Sequence, residues 1–259
     1  MVNQIKTHSN RLLECEINQT TIPPLTSENP QITVKEAYQI QLENVERKLV
    51  SGDEVVGKKI GLTSLTVQRM FGVDEPDYGH LLKSMRVLNN STVDITTLIQ
   101  PKIEGEIAFV LKEDLKGPNL TALDVIRATD YVVAAIEIVD SRIEDWKIKL
   151  QDTIADNASA ARYILGNRRV SLQEIDLELI GMVVKKNGEL VNTGVGAAAL
   201  GNPINCVAWL ANKMAEFDIA LKAGEVILSG ALSGMVEIMP GDKISIKFSK
   251  LGELGVQFQ

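Results

Sequence analysis

The sequence predicts an α+β fold in which helices come early, strands come late, and the strands form a curled, barrel-like sheet. Two observations support this prediction. Capped helical periodicity dominates the start of the chain, and short alternating strands separated by turn residues fill its last third. With 259 residues, of which 45% are hydrophobic, the chain can bury a substantial core as one large domain or two small ones.

The N-terminal region is predicted to be helical. A polar, proline-containing stretch over residues 18–31 separates a first helix from the rest of the chain. Thr33 and Glu36 have the spacing of a capping box and open a second helix, which Gly52 ends. The apolar face of this helix contains Tyr38, Leu42, Val45 and Leu49. We therefore predict an N-terminal helical region over residues 1–60 and one compact unit over residues 61–259.

The middle of the chain alternates strands with short helices. A strand over residues 55–62 leads into a helix from about Ser64 to Met70, which Gly72 stops. The next predicted elements are a strand over residues 101–111, a helix after Thr121 and a strand over residues 131–140.

The last third is rich in strands. Asn187 and Gly188 predict the turn of a β-hairpin, because this dipeptide suits the tight turn between two strands. Asn202 and Pro203 predict the start of a helix that runs to about Phe217. Three more strands are predicted over residues 225–232, 242–249 and 252–259.

Composition argues against several classes of protein. The formal net charge of −7, without a basic cluster and interleaved aromatic residues, argues against nucleic-acid binding. The start of the chain lacks the apolar core of a signal peptide, and no apolar stretch reaches the roughly 20 residues of a membrane helix. Cys15 and Cys206 are too few and too far apart for a disulfide framework or a metal site. These features predict a soluble cytoplasmic protein with two free thiols.

Three glutamates are the most informative residues. Glu104 and Glu106 lie one residue apart in the strand PKIEGEIAFVL, and side chains alternate along a strand, so both point to a face that continues with apolar residues. Glu137 lies in YVVAAIEIVD with apolar neighbours on both faces, where an unpaired charge is very costly. Converging carboxylates favour a hard cation such as Mg²⁺, Mn²⁺ or Ca²⁺. A solvated sheet edge for the first pair and a salt bridge for Glu137 are the alternative.

Acid–base chemistry falls mainly to carboxylates and lysine, because His8 and His80 are the only histidines. His8 lies in the polar N-terminal segment, and the context of His80 is more typical of a structural or surface histidine than of a base. Lys58 and Lys59 lie on opposite faces of their strand, so one of them can point inward toward the carboxylates. Alternation does not decide which one does, and two exposed lysines also fit the pattern.

Two further segments have weaker interpretations. Residues 194–199 formally fit a dinucleotide-binding fingerprint, and Glu216 lies about 20 residues farther on. The fingerprint must open directly into a helix, whereas Asn202 and Pro203 start the helix here, so we expect no nucleotide site. Residues 152–159 are small and polar, which is typical of a turn and equally suits hydroxyl and amide contacts to a ligand.

Eight separated blocks resemble, in order, the hydratase/decarboxylase branch of the fumarylacetoacetate hydrolase superfamily. They are KKIGLTS, GVDEPDYGHL, PKIEGEIAFVL, AAIEIVDSRIEDWKI, DTIADNAS, GVGAAALGNP, VAWLANKM and AGEVILSGAL. The resemblance extends from about Lys35 to the C-terminus and implies a mixed β-roll with N-terminal and flanking helices, whose catalytic core spans residues 61–259. One departure is Gly105, where relatives commonly have alanine, and this small change should leave the carboxylates in place.

The resemblance also implies a metal site and an active-site lysine. Glu104, Glu106 and Glu137 match the glutamates that bind Mg²⁺ or Mn²⁺ in the family, and Lys59 matches its active-site lysine. Proton transfer is accordingly expected from Lys59, with Asp77 as its partner or as the base that positions water.

The implied activity is hydration of 2-hydroxypenta-2,4-dienoate to 4-hydroxy-2-oxopentanoate in the meta-cleavage degradation of aromatic compounds. Expected contacts to the substrate are Thr63, Ser64 and Ser159. Relatives form homo-oligomers and can associate with the 4-oxalocrotonate decarboxylase of the pathway, so the same partners are expected here, without nucleic acid or membrane.

Three other functions are possible. Decarboxylases of this branch typically have P-I-Y-G, S-R-Y-x-x-F and G-G-[LI]-T where this chain has PDYG, SRIEDW and GALS, so these blocks favour the hydratases. An acylpyruvate hydrolase commonly uses a histidine–carboxylate pair, and this chain is poor in histidine. A metal-dependent binding protein without turnover is disfavoured by the inward lysine and Asp77.

Overall fold

A computed structural model describes residues 2–259 of the chain, and the side chains of all of these except residues 2, 3, 70 and 71. The helices are α1 (Val2–Asn18), α2 (Leu25–Glu28), α3 (Val34–Val50), α4 (Leu65–Phe71), α5 (Ala122–Ala128), α6 (Leu150–Ala155) and α7 (Pro203–Ala215). The strands are β1 (Val55–Gly61), β2 (Asp77–Leu82), β3 (Arg86–Val87), β4 (Ser91–Val93), β5 (Pro101–Leu111), β6 (Thr129–Asp140), β7 (Ala160–Leu165), β8 (Gly181–Lys186), β9 (Glu189–Val195), β10 (Val226–Ala231), β11 (Val236–Glu237), β12 (Lys243–Phe248) and β13 (Gly252–Phe258).

Over residues 2–259 the strands form two mixed sheets. The eight-stranded sheet has the order β2-β1-β10-β5-β6-β7-β3, with β11 paired to β5, and the five-stranded sheet has the order β4-β13-β12-β8-β9. Three pairings are parallel, namely β1 with β10, β3 with β7 and β4 with β13. The predicted α+β class with a mixed sheet is confirmed.

The larger sheet is curled into a half-barrel. Strand β2 lies at one edge of this sheet and nevertheless contacts β7, close to the opposite edge. An apolar cluster fills part of the concave face: Leu81, Leu82, Met85, Ala108, Val133, Ala135, Tyr163 and Leu228. Strands β5 and β6 place Glu104, Glu106 and Glu137 on this same face, because these residues are separated from Ala108 and Ala135 by even numbers of positions.

Most of the predicted local signals have the expected structure. Thr33 and Glu36 form the reciprocal capping box of α3. Gly72 is left-handed and ends α4, and Asn187 and Gly188, both with positive φ, join β8 to β9. Helix α7 starts after Asn202 as predicted, but it ends at Ala215, two residues earlier than expected.

The predicted division at residue 60 falls inside β1, which spans Val55–Gly61 and pairs with both β2 and β10. The residues before β1 are helical, with α1 packed on α3 and α3 packed on α6. A separate N-terminal region stays a prediction. If such a region is distinguished, it ends before Val55, because the first strand of the larger sheet begins at that residue.

The two cysteines and the helices agree with what the composition predicted. Cys15 and Cys206 are free thiols, and both are buried. None of the helices within residues 2–259 combines the length and the apolar character that crossing a membrane requires.

Gly105 lies on the convex face of β5, opposite to the carboxylates, where the smaller sheet packs. A Cβ atom at this position would lie 2.2 Å from Sδ of Met182 and 3.3 Å from Cδ1 of Ile246. Alanine at residue 105 could therefore leave the strand and its carboxylates in place only if the buried Met182 side chain moved away from the added methyl group. The sequence did not reveal this constraint, because Met182 belongs to a strand about 80 residues away.

We expect Gly105→Ala to lower the free energy of unfolding by about 1 kcal/mol, the low end of the cost of overpacking, because methionine is flexible. Met182→Val removes the obstructing sulfur, so the double variant should lose less stability than the sum of the single variants. Urea denaturation of the four proteins measures this coupling. Strictly additive losses would contradict the proposed steric conflict.

Candidate metal centre and active site

The three glutamates converge at the centre of the half-barrel. Glu104 and Glu137 are direct cross-strand partners on β5 and β6, and Glu106 follows on the same face, opposite Ala135. One carboxylate oxygen from each glutamate lies within 4.8 Å of the other two. Glu106 and Glu137 are fully buried, whereas Glu104 is partly exposed. Access to the cluster is therefore from the side of Glu104.

The carboxylate oxygens are poorly satisfied by the protein. The backbone N–H of Gly230 donates to Oε2 of Glu106 at 2.8 Å. Oε1 of Glu106 and Oε1 of Glu137 find no hydrogen-bond partner among the described residues. Unpaired buried carboxylate oxygens are costly, and an oxygen-only ligand set at this separation suits a hard divalent cation. Glu104, Glu106 and Glu137 thus fit the metal site that their positions in the sequence predicted.

The electrostatics of the cluster support the same interpretation. Burial, together with the neighbouring carboxylates of Glu137 and Asp77, raises the pKa of Glu104 to about 7, although Lys59 acts in the opposite direction. Burial and the like charges also raise the pKa of Glu106 and, against the influence of Lys59, burial raises that of Glu137. Crowded carboxylates need either protons or a cation, and a divalent cation is able to displace the protons.

Lys59 points into this cluster from β1. Its Nζ lies 3.4 Å from Oε2 of Glu137 and donates to the carbonyl oxygen of Ala158 at 2.9 Å. Burial alone would lower the pKa of Lys59, but the surrounding carboxylates, Glu137 first, raise it above its ordinary value. Lys59 is therefore a buried group that these carboxylates keep in its protonated ammonium form.

Lys58 faces the opposite side of β1, as strand alternation predicts. Only 3% of its side chain is exposed, and its Nζ lies 2.9 Å from Oε1 of Glu225. Both lysines are therefore buried. Alternation showed correctly that they lie on different faces, but it did not show that Lys58 is also buried, in a place where Leu42 and Val45 of α3 line the same cavity.

Asp77 begins β2 and completes the group around Lys59. It pairs across the strands with Gly61, two residues after Lys59, and its carboxylate contributes to the raised pKa of Lys59. Oδ2 of Asp77 accepts a hydrogen bond from the hydroxyl of Thr153 at 3.0 Å, and Oδ1 has no such partner among the described residues. Burial raises the pKa of Asp77 despite the opposing charge of Lys59.

The three residues predicted to contact the substrate occupy different positions. Thr63 is buried next to Gly230, the residue whose N–H binds Glu106; a Cβ at Gly230 would lie 2.2 Å from Oγ1 of Thr63. Ser64 is the N-cap of α4, where its hydroxyl accepts from the N–H of Val67. The Ser159 hydroxyl donates to Asp156 at 3.5 Å. Thr63 is linked to Glu106 through Gly230, whereas the hydroxyls of Ser64 and Ser159 have structural partners. All three roles stay predictions.

His80 is a structural residue. It lies opposite Lys58 on β2, so its side chain points to the face away from the glutamates. Its Nδ1 hydrogen-bonds to Oε1 of Gln41 at 2.9 Å, and burial, with a further contribution from Lys58, lowers its pKa to about 3. The prediction that His80 is structural rather than a base agrees with this environment.

Sequence reasoning missed the residues that hold Lys59 and Asp77. The missed residues are Thr153, whose hydroxyl contacts Asp77, and Ala158, whose carbonyl oxygen contacts Lys59. They lie in the polar segment 152–159, which forms the end of α6 and a turn. The signal was present as an unusual density of small polar residues after β6, but local composition did not identify their partners. Strand β9 ends at Val195, between Gly194 and Gly196, and α7 begins only at Pro203, as Asn202 and Pro203 predicted.

Comparison with known proteins places the chain in a family. The family profile described as fumarylacetoacetate (FAA) hydrolase C-terminal matches residues 74–259. The chain belongs to this family. The resemblance of the eight blocks is thereby confirmed, and so is the fold that it implied.

Two curated relatives and one solved structure show how similar this FAA hydrolase family member is to others. The 2-hydroxypent-2,4-dienoate hydratase of Pseudomonas putida is 50% identical over 221 residues, which is 85% of this chain and 98% of the relative. The 2-hydroxyhexa-2,4-dienoate hydratase of Comamonas testosteroni is 45% identical over 256 residues, with 98% and 97% covered. The 4-oxalocrotonate decarboxylase from Pseudomonas putida G7, complexed with magnesium and adipate, matches with a TM-score of 0.98 at 40% identity over 100% of this chain and 98% of that one.

Proposed function

We propose that this FAA hydrolase family member is a metal-dependent hydro-lyase that converts 2-hydroxypenta-2,4-dienoate to 4-hydroxy-2-oxopentanoate in the meta-cleavage degradation of aromatic compounds. The observation that carries the proposal is the buried group of Lys59 and Asp77 beside three converging carboxylates. This arrangement offers a proton donor and a proton acceptor next to a cation site. The similarity to curated dienoate hydratases agrees with it.

Each residue has a defined part in the proposed reaction. Glu104, Glu106 and Glu137 would hold Mg²⁺ or Mn²⁺, which when bound supplies a Lewis acid for the carboxylate and 2-oxygen of the substrate. Lys59 would donate a proton to C5 and would be restored by the proton that the 2-hydroxyl loses, giving the 2-oxo-3-enoate. Asp77 would then take a proton from the water that adds at C4 and pass it to C3, which completes the product and restores the carboxylate.

A second candidate is decarboxylation of 4-oxalocrotonate, because the decarboxylase structure matches the whole chain. Asp77 favours hydration, since a carboxylate able to accept a proton serves the addition of water and is not needed for the departure of carbon dioxide. An acylpyruvate hydrolase is disfavoured, because His80 faces away from the glutamates and His8 lies on α1 near Arg11 and Glu28.

One assay separates these functions. The purified protein, given Mg²⁺ and freshly generated 2-hydroxypenta-2,4-dienoate, should remove the ultraviolet absorbance of the dienoate and should lose this activity after metal chelation. Release of carbon dioxide from 4-oxalocrotonate, without consumption of the dienoate, would overturn the proposal. We further propose a cytoplasmic homo-oligomer that is able to associate with the decarboxylase of its pathway, which size-exclusion chromatography of the separate and mixed proteins tests.

We expect Asp77→Asn to lower turnover of the dienoate by about 10²–10⁴-fold, the usual contribution of a positioned acid–base group. Asparagine has the size of aspartate, which matters because only 1% of Asp77 is exposed. Affinity for Mg²⁺, measured by calorimetry, should change little since Asp77 is not one of the three clustered glutamates. Hydration at the parent rate would assign Asp77 a structural role.

A further inference from the structure

A single segment contacts both proposed acid–base residues. This segment, Leu150–Ser159, consists of α6 and the turn Asn157–Ser159. The Thr153 hydroxyl donates to Oδ2 of Asp77 at 3.0 Å, and the Ala158 carbonyl accepts from Nζ of Lys59 at 2.9 Å; both contacts are buried. The position of Leu150–Ser159 therefore influences the direction of both functional groups.

The turn has an unusual backbone. Asn157, Ala158 and Ser159 have φ values of 54°, 49° and 55°, so three successive residues that are not glycine lie in the left-handed region. This conformation costs roughly 1–2 kcal/mol for each L-residue, although asparagine tolerates it better than most. Strained backbone of this kind persists only where its surroundings impose it, and it is concentrated at functional sites.

The side chain of Asn157 fixes the turn to β2. The backbone N–H of His80 donates to Oδ1 of Asn157 at 2.8 Å, and Nδ2 of Asn157 donates to the His80 carbonyl at 3.0 Å. The carboxamide thus pairs with β2 as a neighbouring strand would, which is possible because β2 is an edge strand. The contact needs Gly79, since a Cβ there would lie 2.3 Å from the Asn157 carbonyl oxygen.

Two buried groups outside the site hold the rest of the segment. The Arg142 guanidinium forms an ion pair with the Asp156 carboxylate. The backbone N–H of Arg142 also donates to Oδ2 of Asp156, at 3.0 Å. Nε2 of Gln41 donates to the carbonyl oxygens of Ile154 and Tyr78 at 2.8 and 3.0 Å. These anchors compensate for the strain in the turn without contacting the glutamates.

We propose that Thr153 and Asn157 are positioning residues: Thr153 orients the Asp77 carboxylate, and Asn157 holds the turn whose Ala158 carbonyl orients the Lys59 ammonium group. This inference rests on the proposed function, because it assigns proton transfer to Lys59 and Asp77. Geometry is the reason that such residues matter, since a displacement of about 1 Å at a reacting group costs up to roughly 10²-fold in rate.

Thr153 is tested by a pair of substitutions and a matched control. Thr153→Val keeps the shape of the side chain and removes the hydroxyl, so kcat for the dienoate should fall about 10- to 100-fold while KM changes little. Thr153→Ser should restore most of the lost kcat. The control is Thr129→Val, which removes an equally buried hydroxyl that donates to the Val125 carbonyl at 2.7 Å on α5; it should lower stability and leave kcat unchanged.

Asn157 has a control of the same geometry. The Asn212 carboxamide also pairs with a backbone N–H and carbonyl, those of Leu120, at 2.8 and 2.9 Å. Asn157→Ala should lower kcat, accelerate hydrogen exchange at the His80 amide, and increase labelling of Lys59 by an amine-reactive reagent relative to the equally buried Lys58. Asn212→Ala should do none of these, although it loses the same kind of hydrogen bonds.

The outcomes separate the two proposals. Unchanged kcat in both Thr153→Val and Asn157→Ala, or losses matched by Thr129→Val and Asn212→Ala, would overturn the positioning role. If the wild-type protein did not hydrate the dienoate, the proposed function would fail instead. The Lys59 labelling ratio and His80 exchange, which need neither metal nor turnover, would still decide whether Asn157 holds the turn and the lysine. Should Asn157→Ala not fold, the milder Thr153 pair decides the role of Leu150–Ser159 at Asp77.

Discussion

Glu137→Gln is expected to abolish metal-dependent activity while the protein still folds. Glu137 is fully buried, and removing its charge takes one of three anions from the cluster, so affinity for Mg²⁺ should fall steeply. The protein without metal should change little in stability, because the loss of the Lys59 ion pair is offset by relief of repulsion among the carboxylates. Calorimetry of Mg²⁺ binding and thermal unfolding with and without Mg²⁺ measure both effects.

Of the two measurements, the increase in the free energy of unfolding on addition of Mg²⁺ is the more sensitive one. A ligand present at 100 times its Kd stabilises the folded state by about 2.7 kcal/mol, and the glutamine variant should lose this increment. Glu225→Gln is the matched control, since it removes the carboxylate from the Lys58 ion pair on the other face of β1. It should lower stability and keep the response to Mg²⁺.

Unchanged affinity for Mg²⁺ in the Glu137 variant would contradict the assignment of a metal ligand. If Glu137 served only as the ion-pair partner of Lys59, its replacement should cost about 3–5 kcal/mol of stability equally with and without Mg²⁺.

Lys59→Met should lower turnover of the dienoate by about 10²–10⁴-fold. Methionine has a similar length and suits a side chain of which only 3% is exposed, but it is unable to donate a proton. Mg²⁺ should bind at least as tightly as in the parent, because the substitution removes a positive charge next to the glutamates. Steady-state kinetics at saturating Mg²⁺, together with calorimetry, measure the two effects separately.

Lys58→Met is the control for burial and charge. Lys58 is the neighbouring residue on β1, is equally buried and is also ion-paired, but it lies on the face of the strand away from the glutamates. This variant should lose stability through the unpaired Glu225 and keep its turnover per folded molecule. Near-parent turnover in Lys59→Met would assign proton transfer to Asp77 instead of Lys59. Equal losses of turnover in Lys59→Met and Lys58→Met would show that the lysines support the structure of β1 and that Lys59 has no specific role in proton transfer.

The local structure was readable in the sequence because its signals act over a few residues. The capping box of Thr33 and Glu36, the left-handed stop at Gly72 and the hairpin turn at Asn187 and Gly188 each depend on short-range hydrogen bonds or φ preferences. Short elements without such signals were missed, among them α2, β3, β4 and the helical character of α6.

The sequence by itself determined that Glu104 and Glu106 share one face and that Lys58 and Lys59 are on opposite faces, because side-chain alternation is a local property of a strand. The family resemblance added which lysine and which aspartate to examine. Only the tertiary structure decided that Glu137 pairs directly with Glu104, since register depends on strand order and on the packing of both sheet faces.

The same reason explains the contacts of Leu150–Ser159. Thr153 meets Asp77, and Ala158 meets Lys59, over separations of 76 and 99 residues. No pattern within the segment encodes these partners, because they are brought together by the curl of the larger sheet and by the anchors of the turn on β2. The sequence thus determined which chemical groups this protein has on each strand, and the tertiary structure decided which of them meet.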